Sequence, residues 1–170
     1  MRYRFGCTYG YAEGDYRAYV LYLGRVAIFL AMFISPKVAA AVCLGTTMGF
    51  FVTTPLIIAA RAATHIIFAL VGALIIKRYP NIMESFVAGI GLNLGLAVLH
   101  ALGEVLVVAP FFFSGYMFTP EQLSNGFIMS VIVLVGAGTV LHSVMDCSIS
   151  VLLWKFVRAA VPSIKLFMMI

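Results

Sequence analysis

Polar residues are so sparse along this chain that the apolar stretches between them set its organisation. Five stand out: Tyr19–Ile34, Val38–Thr53, Ile57–Ile76, Met83–Val108 and Phe127–Val157. A membrane-spanning helix needs roughly 17–25 mostly apolar residues, and these segments meet or approach that length. The breaks between them carry stop and turn residues: Ser35-Pro36-Lys37, Thr53-Thr54-Pro55 and Lys77-Arg78-Tyr79-Pro80. Pro36, Pro55 and Pro110 are accordingly read as turns. The last segment would run about 46 Å as one helix at 1.5 Å per residue. It is therefore expected to tilt, to project from the bilayer, or to break near Gly136 and Gly138. Gly45 and Gly49 stand four apart, a spacing that permits close helix approach.

Composition sharpens this into a fold class. The 170 residues are 64% hydrophobic and 10% charged, whereas an ordinary soluble domain is about half apolar and a quarter charged. The reading is an all-α, polytopic transmembrane bundle of five spans, forming one integral membrane domain over residues 1–170. Residues 1–18, rich in tyrosine and glycine, read as an external loop or cap and resemble no cleavable signal peptide. Residues 109–126 read as a second external loop. The formal net charge of +5 comes from scattered Lys and Arg without a basic run, so no nucleic-acid partner is implied. Lys37, Lys77, Arg78, Lys155, Arg158 and Lys165 fall where alternating helices would share one side. The positive-inside rule makes that side cytoplasmic, with the N-terminus outside and the C-terminus inside. Cys7, Cys43 and Cys147 show no metal-ligand spacing, and the latter two read as small packing groups.

Against this background a few ionisable groups inside the apolar stretches carry the chemistry: Arg61, His65, His100, Glu104, His142 and Asp146. Such groups are costly in lipid and face a partner, a cavity or a pathway. Arg61–His65, His100–Glu104 and His142–Asp146 are each four apart, so each pair shares a helix face. Most of the set falls in the outer half of the expected bundle, beneath the 109–126 link. Two readings are open: structural pairs between packed helices, or the walls of an outward-facing binding chamber. Arg61 can also snorkel to the outer interface. Asn93 reads as a binding residue or an interhelical hydrogen bond. Tyr11 and Tyr16, with Tyr9, Tyr19 and Tyr22, supply either stacking surface or an interfacial belt. Phe111-Phe112-Phe113 reads as a belt or lid. No compact metal signature, Walker A sequence or GxSxG nucleophile is present, so no catalytic residue, bound cofactor or metal is assigned.

The stretch SPKVAAAVCLGTTMGFFVTTPLIIAARAATHIIFALVGALIIKR, followed by LHALGEVLVV and VGAGTVLHSVMDCSISVLLWKF, resembles the substrate-binding S component of an energy-coupling factor vitamin transporter. The resemblance implies a six-helix fold in a prokaryotic cell membrane and capture of a water-soluble vitamin from outside. It also implies docking on a transmembrane coupling protein with two cytoplasmic ATPase subunits, which would use the ATP. Within it, Arg61, His65, Asn93, His100, Glu104, His142, Asp146, Tyr11 and Tyr16 are the expected substrate-binding residues. The opening segment resembles the loop after the family's first helix, which would then lie outside the numbered chain. Ala27 and Ala31 share the four-residue spacing of Gly45 and Gly49, and neither face is assigned to docking. Acidic groups suit a pyridine or aminopyrimidine ring, giving a slight preference for a pyridoxine or hydroxymethylpyrimidine type of ligand. Pantothenate or nicotinate would depend more on Arg61 and the histidines. The competing readings are an intramembrane enzyme with a His–acid pair and a structural membrane subunit.

Overall fold

A computed structural model describes residues 24–160, and these are helical almost throughout. Helix α1 covers Gly24–Ile34, α2 Pro36–Thr53, α3 Leu56–Arg78, α4 Phe86–Ser114 and the short α5 Pro120–Ser124. The last helix, α6, runs without interruption from Ile128 to Ala160. Four of the six, α2, α3, α4 and α6, are long and apolar enough to cross a membrane. The expected count was five. Its first member is described only from Gly24 on, and Gly24–Ile34 alone is too short to cross.

Local chemistry explains the ends. Ser35 caps α2 by accepting a hydrogen bond from the Val38 amide, with Pro36 at the first helical position. Pro55 closes the two-residue connector before α3, so the break expected at Thr53-Thr54-Pro55 is present. Thr46, Thr47 and Thr53 donate their hydroxyls to carbonyls four residues back, so α2 carries these hydroxyls with their hydrogen bonds made inside the helix.

Two expectations about α4 and its link need correction. Pro110 does not mark a turn; α4 continues through it to Ser114 and ends at Gly115, whose φ of 67° is the left-handed cap. Pro is tolerated inside membrane helices because neighbours and local adjustments compensate for its missing amide. The loop expected over 109–126 therefore begins at Gly115, and it contains α5, held by a Thr119–Gln122 capping box. The last segment does not break at its glycines either. Its first part, Ile128–Ala137, is wound as a wider π-helix, and it tightens to an α-helix at Gly138.

The packing is inside-out relative to a soluble bundle. From Gly138 on, the buried residues of α6 are Thr139, Ser143, Asp146, Cys147, Ser150 and Trp154, which fall on one helical face. Leu141, Met145, Leu152 and Phe156 point outward and are 58–74% exposed. Polar groups inside and large apolar groups outside suit a lipid surround. The main core joins Ile28, Phe29, Met32 and Phe33 of α1 to Cys43 of α2, Phe68 and Ala69 of α3, Leu96 of α4, and Cys147 and Trp154 of α6. Cys43 and Cys147 are buried free thiols, as packing groups should be.

Close helix approach comes from different glycines than expected. A methyl group at Gly45 or Gly49 would meet nothing within 4 Å, whereas one at Gly103 of α4 would stand 3.2 Å from Thr64 of α3. Gly72 likewise sits tightly under Met32 and Leu96. Of the alanine pair on α1, Ala31 is buried and Ala27 exposed. The basic residues Lys37, Lys77, Arg78, Lys155 and Arg158 fall at the start of α2 and the ends of α3 and α6, where Arg158 lies 3.8 Å from Glu84.

Candidate functional site

The close contact at Gly103 brings α3 within reach of Glu104, and Glu104 organises the site. Arg61 of α3 donates from Nη2 to Glu104 Oε2 at 2.6 Å, and Thr139 of α6 donates to the same oxygen at 2.5 Å. The other oxygen, Oε1, lies 3.4 Å from His100 Nε2 and 3.7 Å from His65 Nε2. One carboxylate thus faces groups from three helices while its side chain is only 4% exposed. A charged acceptor at such depth is tolerable because its lone pairs meet donors and a guanidinium.

His100 sits at the centre. Its ring lies 4.5 Å from Phe68, 4.7 Å from His65 and 5.6 Å from His142, centroid to centroid. Its Nδ1 is 3.2 Å from Ser143 Oγ on α6. Beyond it stands a second charged group. His142 Nδ1 is 3.5 Å from Asp146 Oδ2, and Arg25 of α1 approaches both. Arg25 Nη1 lies 2.9 Å from each His142 ring nitrogen, and its Nε is 3.9 Å from Asp146 Oδ2. Of the two nitrogens, the one without a proton accepts from the guanidinium.

All six ionisable residues expected from the sequence are therefore in one connected cluster. Asn93 is not: its amide donates to the Val144 carbonyl and Ser148 Oγ, both at 3.2 Å, further along the α4–α6 contact. It borders a separate open concavity of about 350 Å³ near Glu84 and Lys155. Tyr11 and Tyr16 lie outside the described residues. The sequence reading missed Arg25, Thr139, Ser143 and Phe68. A charge inside the apolar Tyr19–Ile34 stretch was a usable signal for Arg25; the two hydroxyls gave none, because Thr and Ser are common in helices that bond only to themselves.

A cavity of about 130 Å³ opens beside the cluster, lined by Arg25, Phe50, Ile58, Arg61, Ala62, His65 and Glu104. That is near the ~150 Å³ of a cavity known to accept a benzene ring. Phe50 and Ile58 flank the α2–α3 connector, so the cavity lies toward that end of the bundle. Two atoms of its lining residues, Arg61 Nε and His65 Nδ1, are buried without a hydrogen-bond partner among the described residues, as are His100 Nε2 and Asp146 Oδ2 elsewhere in the cluster. Such orphans are few in native structures, and each calls for an explanation. His65, His100 and Glu104 also offer metal-type ligand atoms within 4.8 Å of one another. A guanidinium 2.6 Å from the same carboxylate opposes a further cation there.

No family model and no solved structure matches the chain. Among curated proteins, it is 33% identical over 139 residues to the niacin transporter NiaX of Lactococcus lactis subsp. cremoris (strain MG1363). The match covers 81% of this chain and 61% of that protein, so the chain spans about three fifths of its relative's length. The relative is a transporter rather than an enzyme, which supports a non-catalytic role, and it is bacterial, which together with the four long apolar helices supports a prokaryotic multi-pass membrane protein.

Proposed function

We propose that this chain is an S component of an energy-coupling factor vitamin transporter, the substrate-binding subunit for a pyridine vitamin of the niacin class; its likeness to a niacin transporter supports the reading. The observation that carries this is the convergence of Arg25, Arg61, His65 and Glu104 from three helices on one ring-sized cavity. A small ligand site has this character: apolar walls with a few placed polar groups. Phe50, Ile58 and Ala62 offer the apolar surface for a ring, and Arg25, Arg61, His65 and Glu104 line the same space with polar groups.

The slight preference for a pyridoxine or hydroxymethylpyrimidine ligand gives way here, for a physical reason. That preference needed free acidic groups, and both acids already face cations: Glu104 holds Arg61, and Asp146 lies beside Arg25. The relative, a niacin transporter, favours the same side. The proposal takes the bundle as a form of the six-helix S-component fold. It includes delivery through a membrane coupling protein with two cytoplasmic ATPases, which would hydrolyse the ATP.

Purified protein titrated with niacin in the absence of nucleotide tests the reading. Saturable one-site binding with a rise in melting temperature is expected. No binding by protein freed of co-purified ligand, across a panel of B vitamins, would defeat it.

A further inference from the structure

Helix α6 changes its winding one turn outside the Glu104 cluster, and we infer from this that Ser130, which does not line the cavity, is a positioning residue for it. Through the π-wound stretch, Ser130 and Thr139 are held inward together, so that α5 and the Glu104 cluster are ordered as one unit. The inference rests on the reading of that cluster as a ligand site and adds to it a residue outside the cavity.

An α-helix turns about 100° per residue, so Ser130 and Thr139, nine residues apart, would point about 180° apart on an unbroken one. One of the two would then face lipid. Both are nevertheless buried, at 3% and 1% exposure. Thr139 donates to Glu104 Oε2, and Ser130 donates to the Gln122 carbonyl of α5. The wider winding over Ile128–Ala137 reconciles them. The Gly138 amide reaches back five residues to the Val133 carbonyl, so a turn there takes in one residue more than an α turn.

Packing holds this winding in place. Val131 is buried with Val108 and Phe112 of α4, and Val105 and Val135 pack against them. A methyl group at Gly136 would stand 3.2 Å from Val105 Cγ2, so the π-wound stretch lies tightly on the turn of α4 that follows Glu104. Ile57 joins the same apolar group, and its neighbour Ile58 lines the cavity. Loss of the wide winding would rotate one of the two hydroxyls out of the bundle. The hydrogen bond to α5 and the hydrogen bond to Glu104 therefore stand or fall together.

Hydrogen exchange on the intact protein without ligand is the first test. Among the described residues Thr139 bonds to Glu104 and not to α5. Thr139→Val is nevertheless expected to speed exchange several-fold in peptides covering 119–130. Unchanged exchange there overturns the inference, whether or not the protein binds niacin. The second test titrates niacin into Ser130→Ala, Thr139→Val and the double variant, each shown by a melting curve to be folded. Losing the neutral hydrogen bond at Ser130 should weaken binding about fivefold, and losing the charged one at Thr139 roughly tenfold. Because the two act as a unit, the double variant should lie within about twofold of Thr139→Val, whereas independent effects would multiply to about fiftyfold. Multiplied losses, or wild-type affinity in Ser130→Ala, overturn the inference and leave the niacin-class reading intact. Ser124→Ala, which removes a hydroxyl bonded only within α5, should change neither exchange over 128–137 nor affinity; a fivefold loss there would also overturn it. If the wild type binds no niacin, the niacin-class reading fails and the exchange result alone decides the coupling.

Discussion

Helix α4 meets α6 at two polar places. Toward its C-terminal half, His100 and Glu104 face Ser143 and Thr139; seven residues before His100, Asn93 faces Val144 and Ser148. Both contacts put a polar side chain of one apolar helix against another. At Asn93 the exchange stays between two helices, and the nearby concavity of about 350 Å³ is open and lacks converging charge beyond Glu84 and Lys155. At Glu104, α3 and α1 also contribute, and a smaller space of about 130 Å³ is walled by two arginines, an imidazole and a carboxylate. The difference teaches that a polar residue in a membrane helix marks a site only when several helices answer it. The larger hollow is the less specific one.

This comparison can be broken, most severely at Glu104. Glu104→Gln removes the charge that holds Arg61 and strips Thr139 of an anionic acceptor. Losing such a charged hydrogen bond costs about 1.5–3 kcal/mol, with the low end favoured because the Arg61 side chain is a third exposed. Niacin affinity should fall on the order of tenfold to a hundredfold in calorimetry, with a lower melting temperature. Affinity within twofold of wild type would show that the cluster is only structural. Arg25→Ala comes next: roughly a tenfold weaker Kd is expected from loss of one charged partner, while the α3–α4 pairing through Glu104 should persist. Ser143→Ala should cost about 1 kcal/mol of stability, the usual worth of one neutral hydrogen bond, and change affinity only a few-fold by loosening His100. The smallest effect is expected at Asn93→Ala. Interhelical hydrogen bonds in membranes average about 0.6 kcal/mol, so a small loss of thermal stability should accompany unchanged niacin binding. A tenfold affinity loss there would erase the distinction between the two places.

The residues that the sequence made legible share one property: their signal is local. Pro55 ends a helix whatever surrounds it, and the i,i+4 spacing of His100 and Glu104 forces a shared face. Pro110 misled because its usual effect is local but its tolerance depends on neighbours and on lipid. Gly45 and Gly49 misled for the same reason, since a small residue permits approach only if another helix arrives; Thr64 arrives at Gly103 instead. Arg25 stood out as a charge in an apolar stretch, but nothing in that stretch says that His142, 117 residues away, will meet it.

Sequence alone determined that this chain is an all-helical membrane protein with costly charges held in three same-face pairs. Hydropathy, helical period and proline placement act over a few residues, and no tertiary context is needed to read them. Only the tertiary structure decided that the three pairs join into one cluster, that Arg25 completes it, and that Asn93 stands apart. Those outcomes depend on which helices touch and at what depth, which is set by packing of Gly103 on Thr64 and of Phe68 beside His100. Contacts between residues far apart in the chain leave no periodic trace in it.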